Sequence, residues 1–307
     1  MNGMIKNMTL RSSYDDLDLS VLAVFPKDSP KAVLQLAHGM CGCKERFLPV
    51  MKYMAENGVA CVAGDHRGHG GSVKSMDDLG YMYKGGYRAL VDDMRMITRW
   101  VREQYPDVPF YLLGHSMGSL AARVYVKWDD SGVDGLILCG SPSWNPMSFI
   151  GKMISGMLCG VGLPRMRMSL IQKLTSARYN RRFRSEGELA WTCSDSESRK
   201  FIKENPVCNF QFTANATYSL MSMMIETYGG NGKWMLSNPQ MPVLFISGQD
   251  DPTIISEAKY HSAVHYMNER GYMNVTSVLY PDMRHEVLNE IGKDVVWDDI
   301  LSFIKDR

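Results

Sequence analysis

The chain has 307 residues, 45% of them hydrophobic and 22% charged, enough apolar side chain for a large core. With 34 basic against 33 acidic residues the formal net charge is +1, which gives no electrostatic basis for binding nucleic acid or an anionic membrane. The amino terminus MNGMIKNMTLRSSYDDLDLS has neither a long apolar stretch nor a small-residue cleavage site, and the 7 cysteines lack a disulfide-rich spacing. Both features fit a cytoplasmic protein without a signal peptide.

Short apolar runs alternate with amphipathic segments of helical length. Residues 17–25, 31–38 and 59–65 read as strands, with a helix over 44–57 ended by Gly58. A long helix is expected over 84–104, where Leu90, Met94, Ile97 and Val101 recur at spacings of three and four. A strand over 108–114, a helix over 118–128 rich in small residues, and strands over 135–140, 241–248 and 274–280 follow, with a closing helix at the carboxyl end. This alternation predicts an α/β fold with a mostly parallel sheet flanked by helices. Residues 143–240 break the rhythm with helical patterns and aromatics. They read as a helical cap inserted into a core made of 1–142 and 241–307.

The stretch "VPFYLLGHSMGS" (108–119) places a serine between two glycines at a strand-to-helix turn. That is the pattern of a nucleophile elbow: small neighbours let Ser116 take a strained conformation, and the helix amino terminus offers a backbone N–H to a developing oxyanion. A serine needs a base, and the base needs an orienting acid. In such an elbow fold they follow in the order Ser, Asp or Glu, His. "SGQDDPT" (247–253) offers Asp250 and Asp251, and "MRHEVLNE" (283–290) offers His285, each just beyond a strand. Among seven histidines, His285 has the right chain order. His38, His66 and His69 read as loop-organising residues, and His115 sits inside the elbow. His261 and His265 stand four apart without an intervening Glu or a third ligand, so no metal is expected. The C-x-C of Cys41 and Cys43 lacks a second pair and reads as free thiols.

The turn "HGMCG" (38–42) follows the strand from which a second oxyanion donor would come, so the backbone amides of Met40 and Met117 are the candidate pair. Candidate substrate contacts are His38, Gly39, His115, and Ile150 and Ile154 in the cap. The last two belong to an apolar stripe with Met153, Met157 and Leu158, which reads either as packing onto the core or as a surface for transient lipid contact.

The segments "LAHGM", "DHRGHGGS", "LLGHSMGS", "LFISGQDDP" and "YPDMRHEVLNE" lie in one order across nearly the whole chain. Together they resemble the α/β-hydrolase fold serine hydrolases of the monoacylglycerol lipase and lysophospholipase branch, often grouped with the serine aminopeptidases. The resemblance implies hydrolysis of a small acyl ester through Ser116, Asp251 and His285, without a cofactor. It selects Asp251 over Asp250, since the family's acid falls three residues after the glycine in G-x-x-D. An aminopeptidase or thioesterase shares the triad; the former would need acidic cap residues, of which Glu186, Glu188, Asp195 and Glu197 are available. A non-catalytic small-ligand receptor on the same fold is the reading from another class. Oligomeric state is not legible.

Overall fold

The computed structural model describes residues 4–229 and 234–306. One eight-stranded sheet organises it, with strands β1 (Met4–Arg11), β2 (Asp18–Phe25), β3 (Ala32–Ala37), β4 (Val59–Gly64), β5 (Phe110–His115), β6 (Gly135–Cys139), β7 (Pro242–Gly248) and β8 (Asn274–Tyr280). Their spatial order is β1-β2-β4-β3-β5-β6-β7-β8. β1 and β2 pair antiparallel, as do β2 and β4, and every later pairing is parallel. The helices are α1 (Leu48–Glu56), α2 (Gly86–Gln104), α3 (Met117–Trp128), α4 (Met147–Gly160), α5 (Ser169–Tyr179), α6 (Ser196–Glu204), α7 (Ala214–Tyr228), α8 (Glu257–Glu269) and α9 (Asp294–Lys305).

Both faces of the sheet are covered, which is why its central strands read as continuous apolar runs. Along β3, Ala32, Leu34 and Leu36 join the core made with α1 and α9. Val33 and Ala37 point the other way, into the core made with α2, α3, α7 and α8. The one polar residue of that strand, Gln35, is buried but satisfied: its Nε2 donates to Met94 O at 3.0 Å and its Oε1 accepts from Thr98 Oγ1 at 2.8 Å.

The expected strands and helices all occur, with ends shifted by a residue or two. The segment 44–57 divides into a 3₁₀ turn, Lys44–Phe47, followed by α1. β1 is an addition that the sequence reading left out. Between β6 and β7 run α4 to α7, and α4 packs chiefly against α7. Among the described residues no helix is long and apolar enough to cross a membrane.

Candidate active site

Ser116 stands at the junction of β5 and α3 with φ 54° and ψ −118°, a backbone conformation an ordinary residue avoids. The flanking glycines make the turn feasible. A Cβ on Gly114 would lie 2.3 Å from Gly118 O, and one on Gly118 would lie 2.1 Å from Ala37 O. Strand, helix and the neighbouring β3 therefore touch backbone to backbone at the elbow. Met117 is the first residue of α3, so its N–H has no acceptor within the helix and faces the end where the helix dipole is positive.

Ser116 Oγ lies 2.8 Å from His285 Nε2, and His285 Nδ1 lies 2.9 Å from Asp251 Oδ2. Asp251 and His285 come from the loops after β7 and β8, at the carboxyl edge where parallel strands deliver their functional groups. The aspartate is fixed on every side: Ser247 Oγ donates to its Oδ2 at 3.0 Å and Thr253 N to its Oδ1 at 2.8 Å. Burial pushes the Asp251 carboxyl up, but the charge and hydrogen bond of His285 and the bonds from Thr253 outweigh it, leaving the group below its ordinary value. Its neighbour Asp250 faces away and pairs with Arg182 at 2.8 Å. Together these groups can take a proton from the serine hydroxyl and hold the imidazolium that results.

The turn 38–42 runs directly against the elbow. His38 is buried, accepts from His66 N through Nε2 at 2.9 Å, and so carries its proton on Nδ1, 2.8 Å from Gly39 O. His66 Nε2 answers by reaching His38 O at 3.1 Å. Burial and the neighbouring rings hold His38 well below the ordinary histidine value. Burial likewise lowers His66 to about 3 and His69 to about 4, so the three rings act as neutral hydrogen-bonding struts. The "DHRGHGGS" loop is anchored by Asp65, which accepts from Lys44 N, Lys44 Nζ and Gly71 N, and by buried Arg67, which pairs with Asp93 and Asp15. These ties fix the turn that carries Met40.

The structure brings Ser116, Asp251 and His285 together, with Gly39 and His115 against them. His115 is wedged beside His285, the two rings 4.8 Å apart, and burial lowers it to about 3. Its place is one of support under the histidine loop. Ile150 and Ile154 lie on α4, where Ile150 is 45% exposed and Ile154 half-buried, and no described contact ties them to the triad. Trp191, which no local pattern signalled, does approach: its ring centroid lies 5.3 Å from that of His285, backed by Tyr179 at 5.1 Å. Around it the chain between β6 and β7 grips the histidine loop, with Thr192 O accepting from Glu286 N at 2.8 Å and Glu186 pairing with Arg284 at 2.7 Å. Among the described residues no group of three or more His, Cys, Asp or Glu converges as a metal site.

Proteins of related sequence and structure share this architecture. An uncharacterised abhydrolase domain-containing protein of Dictyostelium discoideum is 26% identical over 307 residues, covering 95% of this chain and 28% of its own length. A monoacylglycerol lipase of Mycolicibacterium smegmatis is 22% identical over 287 residues, with 91% of this chain and 90% of that protein covered. The chain spans 50% of the length of the rat monoglyceride lipase that it also matches. Among solved structures, a thermostable carboxyl esterase from Bacillus coagulans in complex with glycerol superposes with a TM-score of 0.88 at 25% identity, covering 98% of both chains. The family described as "Serine aminopeptidase, S33" matches residues 28–292. On that match and this architecture, the chain belongs to the serine aminopeptidase S33 family of α/β-hydrolases.

Proposed function

We propose that this protein hydrolyses carboxylic esters through an acyl-enzyme on Ser116. The observation that carries the reading is the unbroken run of contacts from Ser116 Oγ through His285 to Asp251 on a strained elbow. Ser116 Oγ attacks the ester carbonyl while its proton passes to His285 Nε2. The Nδ1–H of His285 stays on Asp251, whose carboxylate balances the imidazolium. The amides of Met40 and Met117 donate to the tetrahedral oxyanion, each worth on the order of 10²–10³ in rate. His285 then gives its proton to the leaving alkoxide and takes one from water, whose hydroxide adds to the acyl carbonyl; the bond to Ser116 Oγ breaks, the acid leaves, and His285 returns the proton to Ser116 Oγ.

In this reading residues 143–240 are the cap and Trp191 is its wall over the base. The substrate is a monoacylglycerol-like, lysophospholipid-like or shorter acyl ester. The exposed face of α4, with Met147, Phe149, Ile150, Met153 and Met157, supports transient contact with a lipid surface. A cleavable amino-terminal residue fits less well. Glu186 is engaged by Arg284, Asp195 caps α6 by accepting from Glu197 N, and Glu188 and Glu197 are exposed. None is left as a buried partner for a substrate ammonium.

The test is hydrolysis of p-nitrophenyl esters from acetate to palmitate by the wild type and by Ser116→Ala. Activity confined to the wild type supports the reading, and the preferred chain length ranks the substrate classes. Equal activity in both proteins would sink it.

A further inference from the structure

The C-x-C stretch at Cys41 and Cys43 takes no part in the ester chemistry. Cys43 does not face Cys41. Its Sγ lies 3.0 Å from Sγ of Cys208, 165 positions further along, and both side chains are buried. The contact joins two distinct parts of the fold. Cys43 closes the turn that carries Met40, next to Lys44, whose amide and ammonium are held by Asp65. Cys208 lies on the connection between α6 and α7. That connection is laid on the same turn a second time, because Cys41 Sγ donates to Phe210 O at 3.2 Å, and Gln172 Nε2 donates there too at 3.0 Å. The two sulfurs are thus held opposite each other from both sides.

We propose that Cys43 and Cys208 are a modification site, forming a reversible disulfide that ties the turn after β3 to the connection between α6 and α7. A bond of about 2.05 Å needs the sulfurs to close by about 1 Å, within the reach of side-chain rotation. The oxidant is a low-molecular-weight disulfide such as oxidised glutathione. Cys208 thiolate attacks one glutathione sulfur, the glutathione S–S bond breaks, and one glutathione leaves as thiolate. Cys43 then loses its proton to solvent, its sulfur attacks Cys208 Sγ, and the second glutathione leaves. Two protein thiols become one disulfide as one glutathione disulfide becomes two thiols. Either sulfur can donate to the other; with Cys43 as donor, that bond and the charge of Arg46 favour a thiolate at Cys208 against burial, so Cys208 attacks first. The same hydrogen bond and burial push Cys43 up. The bridge closes a loop of 165 positions and so constrains the unfolded chain strongly.

The full chain is equilibrated in glutathione buffers from reducing to oxidising. A parallel arm in urea below the unfolding transition gives the buried sulfurs access. Free thiols are then trapped with N-ethylmaleimide and the peptides mapped by mass spectrometry. The expected result is a Cys43–Cys208 linked peptide, a chain about 2 Da lighter than the reduced form, and a higher Tm reversed by dithiothreitol. Cys41→Ser keeps the bridge, and Cys43→Ser and Cys208→Ser each lose it. Two thiols that stay open to alkylation in the oxidising buffer of both arms, or a stable glutathione adduct on Cys208 in the wild type, would overturn the proposal.

Discussion

A Cβ built on Gly39 would stand 3.0 Å from the Cβ of Ser116 and 3.1 Å from Nδ1 of His115. The turn after β3 is therefore pressed onto the elbow with little room for a side chain, next to Met40. Both contacts are at the tight limit for a Cβ and are relieved by a shift of a few tenths of an ångström in the turn. Gly39→Ala is expected to fold with a Tm near that of the wild type and to lose about 10–100-fold in kcat, since small misplacements at the reacting centre are costly. Gly118→Ala is different. Its Cβ would meet Ala37 O at 2.1 Å, backbone against backbone, so destabilisation of about 3 kcal/mol or more is expected. Ester kinetics beside urea titrations of the two variants separate these effects.

The cluster of His38, His66 and His69, with ring centroids 4.2 and 5.1 Å from His38, makes stability depend on pH. All three are held neutral, at values below that of an unfolded histidine. Below about pH 6.5 the unfolded chain takes up protons that the folded chain refuses, so stability falls as pH falls toward 4. Each ring contributes up to about 1.4 kcal/mol per pH unit. The depressed Asp251 adds a further loss once pH enters the carboxylate range. Urea midpoints between pH 7.5 and 4.5 should drop steadily, with a shallower slope in His69→Gln. A flat profile would contradict the neutral cluster.

Trp191 packs on the imidazole of His285, ring centroids 5.3 Å apart, without hydrogen-bonding to it, so it restricts how the ring can turn. Trp191→Ala is expected to lower kcat/KM for a p-nitrophenyl ester about 10-fold, by loss of ordering at the base. Ser116 should still be labelled by a fluorophosphonate. Loss of labelling altogether would show that the tryptophan is needed for the triad to form at all.

Met153 and Met157 are 58% and 59% exposed on α4. If this face meets lipid, replacing both with Ser should slow hydrolysis of monoacylglycerol in vesicles several-fold and leave hydrolysis of p-nitrophenyl acetate in solution unchanged. Equal rates on vesicles for both proteins would remove the lipid-contact role of α4.

The sequence made the central sheet legible because β3 to β7 are buried on both faces and appear as uninterrupted apolar runs. It hid β1, an edge strand whose side chains are mostly exposed and which pairs only with β2. Only Met8 and Leu10, at its carboxyl end, are partly buried against the core, so the alternation is too short to read. Ser116, Asp251 and His285 were legible as candidates because each sits at a strand end in a recognisable loop. Trp191 was not, since its closeness to His285 depends on how α4 to α7 fold back over the sheet, and no local spacing encodes that. The stripe on α4 left packing and lipid contact open for a related reason, since what it meets depends on how α7 folds back against it. The face it buries holds Ser148 and Ser155, with Gly151 and Gly156 against Met221 and Tyr218 of α7, so small residues do the packing and the large apolar ones face outward.

The most direct measurement is acid quenching of the enzyme within the first turnovers of a p-nitrophenyl ester, followed by peptide mapping. A mechanism through Ser116 requires one acyl group per chain on the peptide that contains Ser116, appearing with a burst of p-nitrophenol and absent from Ser116→Ala. Turnover with Ser116 unmodified, or an acyl group carried by another residue, would contradict it.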